Sequence, residues 1–237
     1  MIFSRFNYLF FLIAFISNAQ YYHVSVHGND SNPGTEDSPL KTISKAAKIA
    51  LPGDVITVHE GTYREWVRPE NGGLNDQDRI IYQAAHGEDV WIKGSEIITG
   101  WKLHKDNVWS IQIDNHFFNN FNPYDEILKG DWLMNTFGRD HHLGEIYING
   151  EALYEIDSLN EVLSEIPLKR AVDSESSKYK WFCKVDNDTT TLYANFKGLD
   201  PNIEVVEINV RPAVFFPERT GINYITCLLY TSPSPRD

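Results

Sequence analysis

Apolar and polar residues alternate along this chain in short bursts. Tyr22-His23-Val24-Ser25-Val26 has the period of two that marks a strand, and the stretch from His27 to Thr35 is dense in turn formers and reads as a loop. Ser38 is placed to cap a helix with Pro39 at its first position, after which Ile43, Ala46, Ala47 and Ala50 recur on one face. A face of such small residues implies close packing against something broad. Pro52-Gly53-Asp54 ends that helix and turns the chain into a strand over Val55 to Val58, closed by Glu60-Gly61. Two further short strands follow, Ile80 to Ala84 and Val90 to Ile92, with glycine turns at Gly87 and Gly94.

Closely spaced short strands behind one amphipathic helix suit either a sandwich or the first coils of a solenoid. The helix favours the solenoid, because the open end of a solenoid core needs a cover and a flat Ala-rich face supplies one. From about Gly94 to Glu204 the pattern changes to hairpin-like strands at Val108 to Ile113, Glu145 to Ile148, Lys180 to Val185 and Thr191 to Phe196. Asn149-Gly150 is a strong tight-turn dipeptide, and Asp186-Asn187-Asp188 a weaker one. Only Ser158 to Ile166 reads as helix there, with Leu159, Val162, Leu163 and Ile166 on one face and Pro167 after it. Val205 to Val210 and Ile222 to Thr226 return to short strands. The expected organisation is thus a cap and first coils over 20–93, an antiparallel β insert over 94–204 and a return to the coils over 205–226.

The ends carry their own signals. Arg5, the apolar run Tyr8 to Ile16 and Ser17-Asn18-Ala19 form the three regions of a secretion signal over 1–19, so the mature chain is expected to begin at Gln20, secreted or periplasmic. The apolar run is far shorter than the roughly 20 residues that span a bilayer. Residues 227–237, Cys227-Leu-Leu-Tyr-Thr-Ser-Pro-Ser-Pro-Arg-Asp, resemble a translated sequencing adapter, and authentic sequence is expected to end near Thr226. With 21 Lys and Arg against 33 Asp and Glu, the net charge of −12 disfavours nucleic acid and anionic membrane surfaces as partners. Two cysteines, Cys183 and Cys227, are too few for a disulfide framework or a zinc cage. The 6 Trp, 12 Tyr and 13 Phe add flat rings suited to cores and to the CH-rich faces of sugars. No phosphate-binding glycine loop, nucleophile elbow or metalloprotease helix is present.

Several motifs in sequence order resemble a known family. Asn32-Pro33-Gly34-Thr35, Pro39-Leu40-Lys41-Thr42-Ile43 and the run from Pro52 to Glu65 resemble the start of right-handed parallel β-helix proteins. Trp91-Ile92-Lys93-Gly94, Phe121-Asn122-Pro123-Tyr124, Gly130-Asp131-Trp132-Leu133, His142-Leu143-Gly144-Glu145 and Tyr193-Ala194-Asn195-Phe196 are similar to the β-xylosidases of glycoside hydrolase family 120. The resemblance runs from Tyr22 to Thr226. It implies a mainly β fold, a parallel β-helix with an N-terminal capping helix and an inserted β-sandwich. It also implies a retaining hydrolase of xylo-oligosaccharides, with a nucleophile and an acid/base about 5–5.5 Å apart. Both family carboxylates fall beyond Thr226, so no acid of this chain takes either role.

Among the residues present, Trp132 and Asp131 are the expected sugar contacts, with Asn122 and Tyr124 beside Pro123 as weaker candidates whose alternative role is a rigid turn. Asp140-His141-His142 has metal-ligand residue types without a third convergent ligand, so a surface loop is the preferred reading and no metal is assigned. Arg64-Glu65 is expected to be a structural ion pair, and His59-Glu60 a structural pair separated by strand alternation. No cofactor is required, although a structural calcium is compatible with the composition. The partner expected is an oligosaccharide, and a homo-oligomer is compatible with the full-length protein. Two other readings stay open: a β-helix polysaccharide lyase, which would need a basic cleft, and a non-catalytic carbohydrate-binding or adhesive β-helix. Expressed alone, a solenoid cut after its first coils leaves an open edge that recruits other chains, so aggregation is expected in light scattering. A monomeric, cooperatively melting product would count against the β-helix.

Overall fold

Val, Ile and Thr at alternating positions favour extended backbone, and parallel strands need crossovers between them. Both conditions shape the N-terminal unit of the computed structural model, which describes residues 19–131, 138–169 and 171–229. Its elements are β1 (Tyr21–Val24), α1 (Ile43–Ile49), β2 (Val55–Val58), β3 (Gly61–Tyr63), β4 (Ile80–Ala84) and β5 (Val90–Ile92). The insert follows with β6 (Ser95–Ile97), β7 (Lys102–Lys105), β8 (Val108–Asp114), β9 (Ile146–Ile148), β10 (Glu151–Ala152), β11 (Tyr154–Glu155), α2 (Leu159–Val162), β12 (Lys180–Val185), β13 (Thr189–Asn195) and β14 (Val206–Asn209). The chain then rejoins the first unit as β15 (Ile225–Leu228).

Strands β1, β2, β4 and β15 form one parallel sheet, with Tyr22, Ile56, Tyr82 and Cys227 in register across it. Each crossover contributes to a second line of pairing: Gly61, Thr62 and Tyr63 of β3 lie parallel to Val90, Trp91 and Ile92 of β5. Val67 pairs in parallel with Phe215 beyond that. Between these lines lies an apolar core of Val24, Ile56, Val58, Ile80, Val90 and Ile92. The free edge of β1 is covered by the incoming loop, since the Leu40 amide donates to His23 and the Ser25 amide to Leu40, both at 2.9 Å. That cover is why the helix starts later than Ser38 and Pro39 suggest. Leu40 is drawn into pairing with Val24, Ser38 pairs with Thr35, and Thr42 becomes the N-cap, its hydroxyl accepting from the Lys45 amide at 3.0 Å. The small face is as expected, with Ile43, Ala46, Ala47 and Ala50 all buried.

Glu65 does not pair with Arg64. Its carboxylate accepts from the Ile43 and Ser44 amides at 2.9 and 2.8 Å, satisfying donors that the first helical turn leaves open. The segment that follows β3 thereby anchors the start of α1.

The insert packs a sheet ordered β10-β9-β14-β6 against one ordered β11-β12-β13-β8-β7. Trp101, Trp181, Phe196, Leu192, Ile146 and Ile208 fill the space between them. Asn149 and Gly150 both take left-handed backbone, φ 50° and 83°, and close the β9–β10 hairpin. The helix expected over Ser158 to Ile166 shrinks to one turn, because the Lys180 ammonium collects the carbonyls of Glu161, Ser164 and Ile166 at 3.3, 2.8 and 2.8 Å. The return to the first unit also comes later than position 205: Val206–Asn209 pairs antiparallel with both β6 and β9 and so belongs to the insert. Strand β15 starts at Ile225 rather than Ile222, since Tyr224 turns the backbone left-handed at φ 56° just before it.

The two units meet at a buried carboxylate. Glu207, 4% exposed, accepts from Arg64 Nη1 at 2.6 Å, Lys93 Nζ at 3.0 Å and Ser95 Oγ at 2.9 Å. Burial pushes its pKa up, but these hydrogen bonds outweigh burial and hold it below its ordinary 4.5. The folded pKa is lower than the unfolded one, so the associated stability is complete above the unfolded pKa and lost as pH falls through the folded pKa. Glu207→Gln is expected to cost about 3 kcal/mol near neutral pH, because it leaves two cations without their partner. Chemical denaturation is expected to show this gap narrowing as the pH falls below 4.5. A variant as stable as the parent near neutral pH would remove the clamp from this account.

Candidate functional site

The segment from Ile127 to His142, hereafter the arm, begins and ends in a short antiparallel pairing. Ile127 pairs with His142, the Leu128 amide donates to His141 at 2.7 Å, and the Leu143 amide donates to Glu126 at 2.9 Å. Glu155, on β11, locks that base. Its Oε1 lies 2.6 Å from His142 Nδ1, its Oε2 lies 3.6 Å from His141 Nδ1, and both oxygens receive the His142 amide. The Cys183 thiol lies 3.8 Å from the same His142 nitrogen. Cys183 and Glu155 together raise the His142 pKa to about 10 against burial, so its imidazole is a cation at neutral pH. The two histidines thus converge on one carboxylate instead of pointing apart, because the arm is not a regular strand at this point. Among the described residues no group of three or more His, Cys, Asp or Glu is arranged to hold a metal ion.

Beside the arm opens a cleft of about 620 Å³, lined among others by Arg139, His141, His142, Tyr154, Glu155 and Lys197. Lys197 pairs with Glu151 at its edge. Among the described residues, one guanidinium nitrogen of Arg139 is enclosed without a hydrogen-bond partner. An enclosed donor of this kind costs roughly 1–3 kcal/mol unless an acceptor reaches it, and a ligand oxygen would be such an acceptor. The lining offers donors and acceptors of both charges, a combination that suits hydroxyl-rich molecules.

The residues expected to contact sugar divide between surface and core. Asp131 is exposed on the arm, and Trp132 lies outside the described residues. Tyr124 is fully buried: its ring meets Trp181 edge-on, and its hydroxyl donates to the Glu145 carbonyl at 2.7 Å. It has no surface to give a ligand, and its role is to fill the core. Gly144 is required by this packing, since a Cβ there would sit 2.4 Å from the Tyr124 ring. Asn122 is also committed to structure. It donates to Thr190 Oγ1 at 2.8 Å and accepts from the Tyr124 amide at 3.1 Å, forming the rigid turn that was its alternative role.

A general acid needs a carboxyl whose pKa is raised. Here Glu88, Asp114, Glu165, Asp173 and Asp186 are instead shifted down by the hydrogen bonds they accept. Glu155, the organising acid of the site, was not foreseen. Its partners are thirteen or more residues away, and nothing adjacent in the chain announces it.

Comparison with known proteins gives the site a context. Residues 98–208 match the glycoside hydrolase 120 insertion domain, and residues 26–69 match a family described as a protein of unknown function, DUF1565. The uncharacterized protein YwoF of Bacillus subtilis (strain 168) is 31% identical over 80 residues, 34% of this chain and 17% of that protein. The structure of XylC in complex with xylose is 47% identical, with a TM-score of 0.82, over 87% of this chain and 34% of that chain. The chain therefore spans about a third of the length of XylC. The insert matches the glycoside hydrolase 120 insertion domain and 87% of the chain is similar to XylC, so the likeness of this chain is to glycoside hydrolases of family 120.

Proposed function

We propose that this chain supplies the first coils of a right-handed parallel β-helix and the insertion domain of a secreted glycoside hydrolase. In this reading the full-length enzyme releases β-linked xylose from the ends of xylo-oligosaccharides. The observation that carries the proposal is the similarity to XylC, at 47% identity across both units, together with the xylose in that structure. Repeated parallel pairing, of β1 with β2, β2 with β4 and β3 with β5, supports the coil reading. Retention of configuration would require two carboxyl groups about 5–5.5 Å apart, one attacking the anomeric carbon while the other protonates the leaving oxygen. Those groups are expected on coils after Thr226.

The part of this chain is to shape the pocket. Asp131 and Trp132 are the proposed sugar contacts, carried on the arm that Glu155 and His142 lock at its base. An indole face covers the apolar face of a pyranose, and a carboxylate accepts from its hydroxyls.

The test is hydrolysis of an aryl β-xyloside by the full-length enzyme, with the anomer of the released xylose followed by NMR. Retained configuration is expected, and Trp132→Ala is expected to lower kcat/KM by about 100-fold, or about 2.7 kcal/mol, without loss of the fold. Turnover of uronate polymers by elimination, or binding without turnover, would overturn the assignment.

A further inference from the structure

The turn that ends α1 leaves a charge inside the first unit. Pro52-Gly53-Asp54 leads the chain into β2, with Gly53 in left-handed backbone at φ 92°, and Asp54 is 1% exposed. Its Oδ2 accepts from the Leu51 amide at 2.7 Å and its Oδ1 from the Gln20 nitrogen at 2.8 Å. Among the described residues no lysine, arginine or histidine forms an ion pair with it. Tyr22 of β1 and Tyr82 of β4 feel its charge. Burial first and Asp54 second raise the pKa of Tyr22, and burial, Cys227 and Asp54 in that order raise that of Tyr82. Both hydroxyls are neutral near pH 7, and neither offsets the carboxylate. An enclosed carboxylate held only by neutral donors is unfavourable, and a cation at one of those donors offsets much of the cost.

The Gln20 nitrogen is the donor that can become a cation. The Gln20 carbonyl accepts from the Val55 amide at 2.9 Å, which carries the β1–β2 pairing one residue further back and holds the nitrogen against Asp54. Ala19 and Gln20 are both exposed, so the peptide bond between them is reachable. That is the bond at which Ser17-Asn18-Ala19 is expected to be cut. Hydrolysis there adds one water: the C–N bond breaks, Ala19 leaves as a carboxylate, and Gln20 keeps its nitrogen as an ammonium. A hydrogen bond from an ammonium to a carboxylate is roughly twice as strong as one between neutral groups.

We propose that Asp54 is the receptor for the processed N-terminus. Removal of the leader by a signal peptidase converts the Gln20 amide into an ammonium, which pairs with the buried Asp54 carboxylate and fastens β1 to β2. This maturation is independent of which sugar the enzyme cleaves.

The test compares full-length protein exported with its leader and the same chain produced without export as Met followed by Gln20. Intact mass and N-terminal sequencing are expected to show that the exported chain begins at Gln20 with an open amine. Its α-amine is expected to be acylated about tenfold more slowly, at about pH 7, than that of the exported Asp54→Asn variant. Amide hydrogen exchange over Tyr21–Val24 is expected to be about tenfold slower in the exported chain than in the Met-initiated one. An unpaired α-amine titrates at about 7.7–8.0 and pairing raises that value, so this ratio is full below the unpaired value and lost as pH rises through the paired one. The Met-initiated chain keeps the test decisive if Asp54→Asn fails to fold. An exported chain that starts at another residue, loss of ammonia by cyclisation of the N-terminal glutamine, or equal exchange in the two chains would overturn the proposal.

Discussion

A chain that leaves a parallel array to build a separate domain must bring its exit and return strands together in one place. In this protein that place is organised by the Glu207 carboxylate. The chain departs after Lys93 and comes back at Val210, whose amide donates to the Gly94 carbonyl at 2.9 Å. Around this crossing Glu207 takes Arg64 and Lys93 from the first unit and Ser95 from the first strand of the insert. Arg211 pairs with Glu96 alongside. A carboxylate so enclosed is unfavourable unless its lone pairs are filled, and both units contribute donors to it. The relative placement of the insert and the parallel strands follows from that requirement.

Much of the fold was legible from local pattern. The strands at Val55–Val58, Ile80–Ala84, Val90–Ile92 and Lys180–Val185 coincide with the apolar alternation read from the sequence. Where the reading failed, a distant partner had taken over a local preference. Pro39 and Leu40 were drawn from a helix start to the edge of β1, and Lys180 unwound the second half of a predicted helix by taking its carbonyls. Val206–Asn209 read as one more short strand, and nothing local says which sheet it joins. Glu207 did carry a signal, an acid between Val206 and Ile208 in a strand buried on both faces, but its partners are far away in sequence.

The candidate site was less legible, for the same reason. Motif reading located the arm but could not separate its solvent-facing residues from the core beneath. Tyr124 proved to be core and Asn122 a turn, whereas Asp131 stayed at the surface. The histidine pair read as a surface loop, and the carboxylate that converts it into a structural lock came from another strand. The insert thus combines a histidine–carboxylate lock with a polar cleft beside it.

The central claim is that the Glu207 cluster couples the two units, and a double-mutant cycle on Arg64→Met and Glu207→Gln tests it most directly. The account predicts a coupling of about 1.5 kcal/mol or more in unfolding free energy, as expected for a close charge pair removed from water. Effects that simply add, within about 0.5 kcal/mol, would contradict it.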